Sequence, residues 1–165
     1  MNAWHDFFLA QAGAAGVLTG LVFVGVSINL QKIVSNPYSG LAGRAAEALI
    51  LLVAVLVAAV LVLVPGQGAG VLGTELLVVG LAAWGWIVAI QLPRIRELTI
   101  MRADLRVSFV LRVVLGQVAT LTLVIAGVAV LWVGVGGLYW LVASTVFSIL
   151  TALADAWVLL VEINR

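Results

Sequence analysis

Ser144, Ser148, Thr151, Asp155 and Glu162 recur at steps of four, three, four and seven residues through the last apolar segment of the chain. At about 100° per residue these steps put all five on one narrow face of a helix, whose other sides are Leu, Val, Ala, Phe, Ile and Trp. A ladder of hydroxyls leading to carboxylates can partly replace the hydration of a small cation or take up a proton, and the same groups can serve as hydrogen-bonding glue between helices. Asp155 separates the two uses. A carboxylate at the centre of a membrane helix costs about 3 kcal/mol on insertion scales, so it needs an identifiable partner.

The preceding apolar segment supplies candidates, Arg112 and Gln117. Counted back through the glycine-rich turn near Gly136, Gln117 lies about as deep as Asp155, and Arg112 is about four residues deeper, an offset of ~6 Å that an arginine can reach across. An Arg112–Asp155 pair with Gln117 donating to the same carboxylate is geometrically allowed if the facing sides agree. The two residues are about 140° apart around their helix, so one of them is expected to face another span or a neighbouring subunit. Glu47, three residues after Arg44, has the spacing of a local ion pair.

Other chemistry finds little support. The chain has no cysteine and one histidine, His5, so neither a thiolate nor a multi-ligand metal site is expected, and Ser144 and Ser148 have no histidine base within plausible reach. Gly68-Ala69-Gly70-Val71-Leu72-Gly73 matches a dinucleotide-binding pattern, but it follows a membrane helix rather than a β-strand and reads as an outer turn. No enzymatic activity and no cofactor are expected. A net charge of +1 without a basic block gives no footprint for nucleic acid.

The elements that must position these residues are membrane helices. Of 165 residues, 65% are hydrophobic and 9% charged, against roughly 25% charged in soluble domains. Five stretches are long and apolar enough to span: 7–29, 45–64, 71–92, 107–133 and 138–161. Pro37 falls in the first loop, while Pro65 and Pro93 mark the ends of the second and third spans. Gly134 to Gly137 permits only a tight antiparallel hairpin between the fourth and fifth. Cations gather in alternate loops, Lys32 and Arg44 in the first, Arg94, Arg96, Arg102 and Arg106 in the third, with Arg165 at the end, which predicts an N-terminus outside and a C-terminus in the cytoplasm. The expected fold is an all-α bundle of five transmembrane helices in one domain, 1–165, in a plasma or bacterial inner membrane.

The first span carries Gly13, Gly16 and Gly20, small residues that let another backbone approach closely, from a neighbouring span or a second copy of the chain. The second, almost uniformly Leu, Val and Ala, reads as the helix most exposed to lipid. Trp84 and Trp86 of the third read mainly as packing or lipid-facing aromatics, with Gln91 near its inner end. The four arginines of the third loop suit anionic headgroups or a docking partner.

Two functions fit. One is a homo-oligomer conducting a small cation or proton along the stripe of the last helix, with Asp155 the accepting group, Arg112 its modulator and Glu162 a vestibule charge. The other is a non-catalytic accessory or scaffold subunit of a larger membrane complex, the stripe serving helix packing.

Overall fold

The computed structural model describes the backbone at residues 2–35, 40–95 and 103–162. Six α-helices and one 3-10 turn follow one another: α1 (Asn2–Ile28), α2 (Leu30–Ser35), α3 (Leu41–Leu63), α4 (Ala69–Ile95), α5 (Ala103–Val133), the turn Gly134–Leu138, and α6 (Tyr139–Glu162). No strand occurs among the described residues. Four helical stretches are long and apolar enough to cross a membrane: Trp4–Ile28, Leu41–Leu63, Ala69–Ile95 and Phe109–Leu159. The protein is thus a multi-pass membrane protein by length and composition. Leu21, Phe23, Val78, Leu111 and Leu150 each turn more than half of their surface outward, which suits acyl chains and would be costly in water.

The fourth stretch, 51 residues long, is folded in two by the 3-10 turn. Gly134 adopts φ 67°, a left-handed conformation open to glycine, and a side chain at Gly137 would lie 2.4 Å from the Val130 nitrogen. The Ser144 hydroxyl donates to the Ala119 carbonyl at 2.8 Å, so α5 and α6 run antiparallel, as the glycine run predicts.

Other helix limits also have local causes. Helix α3 stops at Leu63, two residues before Pro65. Pro93 does not end α4, which runs on to Ile95; a missing N–H in the last turn leaves the earlier hydrogen bonds intact. The first loop holds the short helix α2, set off from α1 at Asn29, whose side-chain amide donates to the Gly25 carbonyl at 2.9 Å and competes with the helix's own ladder.

Helix α3 is not the most lipid-exposed element but the central one. It packs against α1, α4 and α6, and 44% of its most apolar window is buried, against 22–33% for the other three stretches. A helix apolar on every side suits the middle of a bundle as well as lipid, and its buried alanines 45, 48, 54, 58 and 59 let neighbours close in.

The tightest helix contact lies between α4 and α5. A Cβ at Gly127 would meet the Leu77 nitrogen at 2.6 Å, and one at Gly80 would meet the Val124 nitrogen at 3.0 Å. By contrast, Gly13, Gly16 and Gly20 have nothing within 4 Å of where a Cβ would stand. They lie roughly 140° around α1 from Phe8, Ala15 and Val22, the residues it buries, so the intramolecular packing expected of them is not made.

At the end where α1 and α6 begin, Trp4 packs edge-on against Tyr139 with ring centroids 4.9 Å apart. The opposite end carries the arginines.

Candidate functional site

Near the arginine-bearing end, polar side chains from four helices join in one chain. They lie between about one and four turns inside their helix ends, with Glu47, Arg112 and Asp155 about two turns in, the depth at which alternating up and down helices bring such residues level. Arg112 on α5 is the hub. Its Nε lies 2.8 Å from Asp155 Oδ1 and 3.1 Å from Oδ2, and its Nη2 donates to Glu47 Oε2. The other oxygen of Glu47 accepts from Gln91 Nε2 on α4. Gln91 Oε1 accepts from Gln117 Nε2 at 2.9 Å, and Gln117 Oε1 from Trp84 Nε1 at 2.8 Å. Arg44 closes the far side, its Nη1 3.8 Å from Asp155 Oδ1.

The Arg112–Asp155 pair expected from the hairpin is therefore made. Gln117 does not donate to Asp155. Because it points away from Arg112 on the same helix, it faces α4 and binds Gln91 and Trp84 instead. Nor do Arg44 and Glu47 pair locally: three residues apart on α3, they point to different neighbours, Arg44 to α6 and Glu47 to α4 and α5.

Space for the network comes from Gly116, where a Cβ would approach Glu47 Oε1 to 2.9 Å and Gln91 Nε2 to 3.1 Å. Any larger residue there would push the carboxylate off Arg112. Arg44, Arg112, Glu47 and Asp155 sum to zero formal charge, which is how two carboxylates can be held almost completely buried. Two amides and an indole extend the pairing, so every polar member has a partner.

The rest of the stripe on α6 also faces inward. Ser144, Ser148, Thr151 and Asp155 are each at most 3% exposed. Ser144 binds across to α5, while the Thr151 hydroxyl donates to Phe147 of its own helix at 2.8 Å. The side chain of Glu162 lies outside the described residues, as do Arg96 and Arg102. Arg106 is exposed at the start of α5. Arg94, in the last turn of α4, rests its guanidinium where a side chain at Gly40 would stand, the left-handed glycine (φ 75°) that caps α3.

Glu47, Gln91 and Trp84 are members that sequence reasoning missed. For Glu47 and Gln91 the signal is depth: in alternating spans both lie within about a turn of the depth of Asp155, and only a comparison across all spans, rather than along one hairpin, brings them together, whereas Trp84 lies about two turns deeper on α4 and joins through Gln117.

A cavity of about 130 Å³ reaches Arg44, Arg112 and Asp155 from between α5 and α6. Comparison with protein families, curated proteins and solved structures gives no match.

Proposed function

We propose that this protein is a non-catalytic accessory or scaffold component of a larger membrane assembly, built as five transmembrane helices with the N-terminus outside and the arginine-bearing end in the cytoplasm. The observation that carries this reading is the neutralisation of Asp155 by Arg112, with Arg44 behind it. A carboxylate so paired, on a stripe where Ser144 also binds across to α5, helps hold four helices in register. It offers little to a passing ion. The folded bundle then presents two surfaces to others: the cytoplasmic arginines, and the open face of α1, where Gly13, Gly16 and Gly20 leave room for a partner's helix to lie close.

Conduction of a cation or proton by a homo-oligomer is the second reading, favoured by the cavity that brings open space to Asp155. In that case the glycine face of α1 joins copies of this chain. One experiment divides the two. Extracted in mild detergent, the scaffold copurifies with another chain, Asp155→Asn weakens that association, and vesicles containing the protein alone show no cation or proton flux. Flux that Asp155→Asn abolishes would replace the first reading with the second.

A further inference from the structure

Within the cluster, Arg44 is the one charged group whose bonding capacity is unused. Arg112 saturates both of its carboxylate partners at hydrogen-bonding distance, whereas Arg44 stands 3.8 Å from Asp155 and its guanidinium makes no hydrogen bond among the described residues. Its side chain is 21% exposed and lines the cavity of about 130 Å³ between α5 and α6. A guanidinium carries five N–H donors in a planar fork suited to two oxygens of one phosphate or carboxylate. A single contact to Asp155 at 3.8 Å leaves most of them open to a further acceptor.

The walls say what such a group is attached to. Leu111, Leu115 and Val158 share the lining with Arg44, Arg112 and Asp155, and Leu111 is 59% exposed. A site with guanidinium donors beside an apolar side open to lipid matches an amphiphile rather than a free ion. Arg44 sits in the first turn of α3, about where a span meets the headgroup layer. We propose that this cleft binds the phosphodiester of a membrane phospholipid, with Arg44 donating to its oxygens and an acyl chain running along Leu111, Leu115 and Val158. The site requires the chain to sit in a bilayer and does not depend on whether it scaffolds or conducts.

The test is lipid retention. Full-length protein is reconstituted with dioleoyl phosphatidylglycerol, extracted in mild detergent and weighed by native mass spectrometry. The wild-type chain is expected to keep one phospholipid per copy, and Arg44→Gln to lower its retention about tenfold, the loss for one charge-assisted contact. Leu111→Trp, which fills the apolar wall without touching an ion pair, should release the lipid while leaving thermal stability in place. Arg106→Gln, which does not line this cleft, should retain it. Equal retention by wild type and Arg44→Gln overturns the proposal. Displacement of the lipid by millimolar inorganic phosphate overturns it too, since the cleft would then be a site for the free anion.

Discussion

Replacing Arg112 by Gln removes the only cation among the described residues that Glu47 touches and the closer of the two that Asp155 faces. Taking one partner from a buried ion pair typically costs about 3–5 kcal/mol, because a desolvated charge is left behind. Here two are left, but not equally. Arg44, with freedom to move, can close its 3.8 Å gap and form a full pair with Asp155. Glu47 is fully buried and retains Gln91, an amide that satisfies an oxygen without cancelling the charge. The expected loss is therefore about 3–5 kcal/mol, dominated by Glu47. Adding Glu47→Gln to Arg112→Gln should recover most of it, and adding Asp155→Asn distinctly less. Reversible unfolding in mixed micelles, followed by tryptophan fluorescence, compares these three variants with the wild type, and the Glu47→Gln and Asp155→Asn single variants complete the double-mutant cycles. A loss for Arg112→Gln within about 0.5 kcal/mol of zero, the range of ordinary surface substitutions, would refute the reasoning. So would equal rescue by the two neutralising changes.

Gly127→Val should wedge α4 from α5, since even a Cβ there meets the Leu77 backbone at 2.6 Å, and cost about 1–3 kcal/mol in the same unfolding assay. Gly16→Val, on the open face of α1, is expected to leave the monomer's stability within about 0.5 kcal/mol while weakening association with a partner or second copy, read by crosslinking in vesicles. Gln117→Leu strips Trp84 of its acceptor and Gln91 of its donor; a loss of about 1 kcal/mol and a shifted Trp84 emission, resolved by comparison with Trp84→Phe, are expected. Gly40→Ala forces a Cβ into a left-handed turn and against the Arg94 guanidinium, which should lower stability by about 1–2 kcal/mol.

Much of the fold can be read from the chain because apolar length and helix-ending residues are local properties. The helix limits fall within a few residues of those expected, and the α5–α6 hairpin follows from four residues rich in glycine. The pairing of Arg112 with Asp155 is likewise a matter of counting along one hairpin. What does not follow from local pattern is which side of each helix turns inward. Helix α3 carries almost no polar residue to orient it, so nothing in its composition distinguishes a central position from a lipid-facing one; its neighbours decide. The glycines of α1 advertise close packing more plainly than Gly80 or Gly127, yet the latter make it, because a packing face is set by its complement on another helix. Gln117 follows the same rule: depth puts it level with Asp155, while its bearing around the helix, about 140° from Arg112, sends it to Gln91 on another span.

The partners in the charge network are far apart in the order of synthesis: 65 residues separate Glu47 from Arg112, and 43 separate Arg112 from Asp155. A chain emerging from the ribosome presents α3 to the bilayer long before the cation that neutralises Glu47 has been made. Arg112 and Asp155, by contrast, arrive on two arms of one hairpin and can enter lipid already compensating one another. The first three long helices thus enter before α5 is delivered, and a polypeptide truncated after α4 carries Glu47 without the guanidinium that meets it in the folded chain. That leaves an unfinished chain chemically distinguishable from a finished one to whatever machinery surveys the membrane.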